Sequence, residues 1–149
     1  SVDRNDPGLM LGYLKGTDIK LPLRDGWFQT EDQAVMHQDG SLSFTGRSGD
    51  MMNAGGYRVA PREIEQVLEE ILGVQEVGVA EVEIKPDVWV IAAFVICEFG
   101  FNESRLIHLA QQHLARYKQP RLVQRVTSLP RNANGKLIRA ALPQLWNSK

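Results

Sequence analysis

The run Val88-Trp89-Val90-Ile91-Ala92-Ala93-Phe94-Val95-Ile96 carries no charged side chain. It is far too short to cross a bilayer as a helix, which takes about 20 apolar residues. It is also too uniformly apolar for a strand with one face in water. The run predicts a strand covered on both faces, and therefore central in its sheet. Val77–Val82 reads as another strand just before it in the chain. Other elements of the chain must cover these two.

Two amphipathic segments are suited to that task. Pro61 opens a helix whose apolar positions Ile64, Val67, Leu68, Ile71 and Leu72 recur with helical spacing, while Glu63, Glu65, Glu69 and Glu70 favour the other side. Acids in its first turn suit the positive end of the helix dipole, and Gly73 ends it. A second helix is predicted over Glu103–Tyr117, with Asn102 as its cap and Leu106, Leu109, Ala110 and Leu114 as its buried stripe. Leu122–Val126 reads as a short strand and Leu137–Trp146 as a short terminal helix. The order β-α-β-β-α-β-α describes a small α+β domain with helices against an antiparallel or mixed sheet.

The first part of the chain is different. Residues 8–25 scatter their apolar side chains without a period, as irregular structure leaning on something else would. Ala34–Gln38 and Ser41–Thr45 flank Asp39-Gly40, a strong hairpin signal, and a two-residue turn there puts Val35 and His37 on one face with Leu42 and Phe44. Gly46 to Gly56 holds four glycines and reads as loop or hinge.

Of 149 residues, 43% are hydrophobic and 23% charged, with a net charge of −1, so no general attraction to nucleic acid or anionic lipid is expected and anion binding must be local. No run is long enough to span a membrane. The single cysteine, Cys97, excludes an internal disulfide and fits a reducing, cytoplasmic setting; inside an apolar run it reads as a buried, inert thiol. No secretory signal opens the chain, and Ser1-Val2-Asp3-Arg4-Asn5-Asp6-Pro7-Gly8 lacks an initiator Met, so a fragment of a longer polypeptide is expected.

Several chemistries are excluded by pattern. Asn134-Gly135-Lys136 is no P-loop, since Leu137 stands where Ser or Thr would hold magnesium. There is no dinucleotide fingerprint, and Gly46-Arg47-Ser48-Gly49 is misspaced for a nucleophile elbow. His108 and His113 are five apart and do not share a helix face, so no metal set is expected. Aromatics do not interleave with basic residues as in a nucleic-acid platform. What remains is Lys136, a point charge after a tight Asn-Gly turn, suited to phosphate or carboxylate oxygens but by composition alone an ordinary solvated lysine.

Three segments taken together change that reading. They are Gly26-Trp27-Phe28-Gln29-Thr30-Glu31-Asp32, then Gly46-Arg47-Ser48-Gly49-Asp50 continuing through Gly55-Gly56-Tyr57-Arg58 to Glu65, then Leu129-Pro130-Arg131-Asn132-Ala133-Asn134-Gly135-Lys136-Leu137-Ile138-Arg139. In order and spacing they resemble the C-terminal part of the adenylate-forming enzymes, which include acyl-CoA synthetases, peptide-synthetase adenylation domains and luciferase. The resemblance runs from about Gly12 to Leu142. It implies that residues 1–47 end a large AMP-binding domain with a β-hairpin, and that residues 48–149 form a mobile C-terminal lid with a central sheet flanked by helices.

The same resemblance implies roles. Asp32 would accept hydrogen bonds from the ribose hydroxyls of ATP and Arg47 would contact the same ribose; a turn acid and a loop ion pair are the plainer readings of these two. Lys136 would bridge the acid's carboxylate and the α-phosphate during adenylation. Gly49 falls at the hinge position, where Asp or Lys is usual, and Glu31 replaces the usual glycine of the first motif. The Gly55-Gly56 loop, continuing into Tyr57 and Arg58, would approach the pantetheine thiol. Trp89 and Tyr117 fall at positions that contact CoA in some members, with a core position equally open for Trp89. The implied activity is an ATP-dependent acid–CoA ligase using Mg2+ and CoA, of the kind found in fatty acid metabolism, with the carboxylic acid itself unread because its pocket lies upstream. The chain alone is expected to be inactive without the large domain. A carrier-protein-loading adenylation domain, or a non-catalytic nucleotide- or CoA-binding module, are the alternatives.

Overall fold

A computed structural model describes residues 1–97 and 102–147; residues 98–101 and the last two, within the expected 48–149 range, lie outside the described residues. The chain divides into two compact units, Ser1–Gly49 and Asp50–Lys149.

The first unit is built from short antiparallel pieces. β1 (Val2–Asp3), β4 (Leu23–Arg24) and β5 (Trp27–Phe28) form one small sheet in the order β1-β5-β4, and β2 (Tyr13–Lys15) pairs with β3 (Asp18–Lys20). β6 (Asp32–Met36) and β7 (Leu42–Arg47) make the hairpin expected around Asp39-Gly40. Its register differs from a two-residue turn. Ala34 lies opposite Phe44 and Met36 opposite Leu42, with Gly40 at φ 83°. The loop therefore holds one more residue, and Ala34 and Met36, not Val35 and His37, share the face of Leu42 and Phe44. Met36, Leu42 and Phe44 are all exposed, as are Leu11 and Leu14. The two buried apolar clusters recorded among the described residues take no member from this unit.

The second unit holds the core. β10 (Val74–Lys85), β11 (Val88–Cys97) and β12 (Leu122–Arg125) form a sheet in that order, with β11 central, antiparallel to β10 and parallel to β12. The parallel step is bridged by α2 (Glu103–His113), as a crossover requires. The alternation hidden in the apolar run now has a meaning. Ile91, Ala93, Val95 and Cys97 face a cluster with Ile64, Leu68, Leu106 and Ala110. Ala92 and Phe94 face a second cluster with Leu129, Leu142 and partly buried Leu145 and Trp146. Burial also pushes the Cys97 thiol pKa up, which keeps it a thiol.

The helices differ from expectation at their ends. α1 (Pro61–Glu69) starts at Pro61 but stops before Ile71, so Leu72 leaves the stripe and is 93% exposed. α2 is capped by Asn102, whose side chain accepts from the backbone N–H groups of Ser104 and Arg105, but it ends at His113; a 3-10 turn over Arg116–Lys118 follows. The terminal helix α3 (Leu142–Asn147) begins later than Leu137, after a 3-10 turn over Arg139–Ala141. Gly46–Gly56 is more ordered than its composition suggests: Ser48–Asp50 is a 3-10 turn, and β8 (Met52–Ala54) pairs with β9 (Tyr57–Val59). Among the described residues no helix is long and apolar enough to cross a membrane.

The largest departure concerns Glu65. Placed on the polar side of α1 by its spacing, it is only 2% exposed. Its carboxylate accepts from the Val79 N–H at 2.9 Å and from both terminal nitrogens of Arg139, while Arg139 Nη1 also donates to the Val79 carbonyl at 2.6 Å. Val79 belongs to β10, an edge strand whose other side pairs with β11. The ion pair thus takes the place of a missing neighbour strand, satisfying an N–H and a C=O at a buried edge.

Candidate functional site

In the first unit the hairpin brings Asp32 and Arg47 together. A β-bulge between Gln33 and Ala34 in the pairing shifts the register, so Asp32 lies opposite Arg47 and not opposite Gly46. Their side chains meet at 3.3 Å, Arg47 Nε donating to Asp32 Oδ1, and both stay open to solvent. The carboxylate keeps Oδ2 as a further acceptor and the guanidinium keeps donors to spare, which suits a diol. Beside them Glu31 has φ 62°, in the left-handed region, with its carbonyl accepting from Ser48 N–H at 2.8 Å. A non-glycine residue is disfavoured there by about 1–2 kcal/mol. Glu31→Gly is therefore expected to stabilise the first unit by up to about 1 kcal/mol after the entropy glycine adds to the unfolded chain. A higher urea midpoint at unchanged slope would show this, and a lower midpoint would contradict it.

Gly49 lies in the 3-10 turn, at the end of the first unit. Its φ is not positive and a Cβ there would meet nothing within 4 Å, so the backbone accepts other residues at this position.

In the second unit Gly55 and Gly56, at φ 60° and 88°, form the two-residue turn joining β8 to β9. Positive φ at both central residues is the type I′ requirement, and it leaves a backbone corner with no side chain. Asn53 Oδ1 accepts from Gly56 N–H at 3.2 Å. Tyr57, next in sequence, stacks on Tyr117 with ring centroids 4.6 Å apart. Lys118 lies 5.5 Å from the Tyr117 ring centroid and pairs with Glu63, whose carboxylate raises the Lys118 pKa against the opposing effect of burial. Sequence segments sixty residues apart, Tyr57-Arg58 and Tyr117-Lys118, are thus gathered beside one glycine turn. Trp89, for which a core position was open, is 56% exposed at the start of β11, opposite Glu83.

Lys136 follows a turn fixed at several points. Asn132 Oδ1 accepts from the N–H groups of Asn134 and Lys136 at 3.0 and 2.9 Å, and Asn132 N–H donates to the Lys136 carbonyl at 2.9 Å. Gly135 has φ 76°, Arg131 bridges to Leu137, and Ile138 N–H donates to the Pro130 carbonyl at 2.8 Å. The lysine itself is exposed. The rigid corner and the free stem make it a mobile cation on a fixed base. Arg131 and Arg139 flank it, and neither was singled out for a role from the sequence; each binds a carboxylate and a backbone carbonyl. Among the described residues no group of three or more His, Cys, Asp or Glu could hold a metal ion.

Residues 63–136 match the family model for the AMP-binding enzyme C-terminal domain. A propanoyl:CoA ligase of Mycobacterium tuberculosis, acting on a methyl-dioxo-octahydroindenyl propanoate, is 38% identical over 143 residues, covering 93% of this chain and 28% of that protein. A 2-succinylbenzoate–CoA ligase of a Geobacillus species is 38% identical over 142 residues, covering 93% and 29%. The solved o-succinylbenzoate CoA synthetase of Bacillus subtilis, in complex with its acyl-adenylate intermediate, superposes with a TM-score of 0.75 at 32% identity, covering 80% of this chain and 25% of that one. The chain therefore spans under a third of the length of these relatives. With the fold, the three motifs and these likenesses in agreement, the chain belongs to the adenylate-forming, AMP-binding enzymes and carries their C-terminal domain.

Proposed function

We propose that this chain is the lid-bearing part of an ATP-dependent acid–CoA ligase, with residues 1–47 completing a large AMP-binding domain and Lys136 serving the adenylation step. The observation that carries this reading is the Lys136 corner: an exposed lysine on a backbone turn held by Asn132 and Arg131, inside the segment matched by the family model. In the reaction a carboxylate oxygen of the acid attacks the α-phosphorus of ATP and pyrophosphate leaves. The Lys136 ammonium offsets the charge that builds on the transferring group, a contribution made without reorganisation if the donor is already placed. Asp32 and Arg47 hold the ribose, the one accepting from its hydroxyls and the other donating.

Thioester formation uses another face of the lid, reached by rotation about Gly49. The CoA thiolate attacks the acyl carbonyl and AMP leaves. The bare Gly55-Gly56 turn lets the pantetheine arm pass, and the Tyr57–Tyr117 stack and Arg58 line its edge. The exposed Trp89 indole is free to stack on the adenine of CoA. Mg2+ usually sits on one or two carboxylates together with substrate phosphates and water, and no step is assigned to it here. The two curated relatives described above are named as CoA ligases, which favours CoA over a carrier protein as acceptor.

The 149-residue chain by itself should release no pyrophosphate from ATP with any acid, because the phosphate loop and acid pocket lie in the large domain. Joined to that domain and screened against short, fatty and aryl acids, it should release pyrophosphate with one class and then form the CoA thioester. Pyrophosphate release by the chain alone, or adenylation with no CoA-dependent product, would overturn the assignment.

A further inference from the structure

The turn bearing Lys136 is braced from outside by a residue with no assigned part in the reaction. Arg131 Nη1 donates to the Gly135 carbonyl at 2.6 Å, and its Nη2 donates to Glu76 Oε2 at 2.7 Å. Gly135 immediately precedes Lys136. Glu76 lies on β10 just past a register shift in the β10–β11 ladder. One guanidinium therefore ties the peptide bond in front of the lysine to the edge of the central sheet. The hydrogen bonds inside the turn fix its shape; the Arg131–Glu76 bond ties the Gly135 side of that turn to β10, as Arg139 ties the segment after it through Val79.

We propose that Arg131 is a positioning residue for Lys136, holding the turn on β10 through Glu76 so that the ammonium is placed for adenylation. The inference rests on the adenylation role assigned to Lys136. The fork geometry matters: a guanidinium donates to two groups at once in a fixed plane, whereas a lysine at 131 offers a compact point charge with rotatable donors and holds neither acceptor in a fixed direction. Both partners are exposed, at 43% and 44% of their side-chain surface, so the pair contributes little to folding. A reacting group displaced by about 1 Å can cost ~10²-fold in rate. The signature is therefore a large loss in one half-reaction with almost none in stability.

The test uses the chain joined to its large domain, measuring pyrophosphate release and, separately, thioester formation from supplied acyl-adenylate. Arg131→Ala should lower kcat for pyrophosphate release by ~10- to 10²-fold. It should leave the KM for ATP, the thioester step and the melting temperature close to wild type. Arg131→Lys and Glu76→Gln should fall between wild type and Arg131→Ala. The exchange Glu76→Arg with Arg131→Glu restores the charge pair but removes the donor that residue 131 itself aims at the Gly135 carbonyl, so adenylation should stay low. Wild-type kcat in Arg131→Ala, equal losses in both half-reactions, or recovery by the exchange would each overturn the proposal. Lys136→Ala is run beside them. If it adenylates normally, the lysine assignment falls and this inference with it; if it is dead while Arg131→Ala is active, only the inference falls.

Discussion

Glu65→Ala is expected to destabilise the second unit by about 3–5 kcal/mol, the usual cost of breaking a buried ion pair from one side. The substitution does three things at once. It strands the Arg139 guanidinium, which is largely enclosed and whose nearest other carboxylate oxygen, Asp50 Oδ2, stands 3.8 Å from its Nε. It orphans the Val79 N–H at the edge of β10. It also opens a void beside Ile64 and Leu68, both fully buried on the same helix. Arg139→Ala should cost a similar amount, because it leaves Glu65 buried without its cation and the Val79 carbonyl without its donor. Replacing both members with apolar residues, Glu65→Leu with Arg139→Met, tests the edge role directly. A buried pair can often be exchanged for apolar side chains at little cost. Here two backbone groups lose their partners as well, so recovery should be incomplete. Urea unfolding of the four proteins reads these values. A loss below about 1 kcal/mol for Glu65→Ala, the size of an exposed pair, would contradict the account.

Much of this fold was legible because the central strand advertises itself. An apolar run with no polar alternation needs cover on both faces, and the amphipathic segments after Pro61 and Asn102 and the apolar residues near the C-terminus are the available cover. Glu65 was not legible. Its position next to Ile64 puts it at the margin of the buried stripe, where a carboxylate reads as solvated, and its partner lies 74 residues away. Leu72 was misplaced because helical spacing continues in the sequence after the backbone has turned at the end of α1. The hairpin register escaped for a local reason: Asp39-Gly40 fits either a two-residue turn or a longer loop with glycine at its left-handed position, and only the pairing tells them apart.

The candidate site shows the same division. The Lys136 turn could be read from Asn134-Gly135, since such a turn is made by few residues in sequence. The bulge that sets Asp32 against Arg47, the Tyr57–Tyr117 stack and the Arg131 brace all depend on long-range pairing, which no local pattern reports. Glu31 is the reverse case. Its occurrence at a usual glycine position was visible, and the backbone conformation supplies the reason glycine is favoured there.

Lys136→Ala carries the second large effect. On the adenylation role proposed for it, removing the Lys136 cation should lower adenylation by ~10²–10³-fold, the cost typical of one lost donor at such a centre. The turn should survive, because its hydrogen bonds run through the Lys136 backbone and the Asn132 side chain and none uses the ammonium. Folding stability is then nearly unchanged, and the glycine turn with its tyrosine stack keeps its geometry. The central claim, that this chain presents Lys136 for adenylation and a different surface for thioester formation, is tested most directly by measuring both half-reactions of Lys136→Ala in the protein joined to its large domain. The account predicts that pyrophosphate release is lost while supplied acyl-adenylate is converted to thioester at the wild-type rate. Equal loss of both half-reactions, or normal pyrophosphate release, would contradict it.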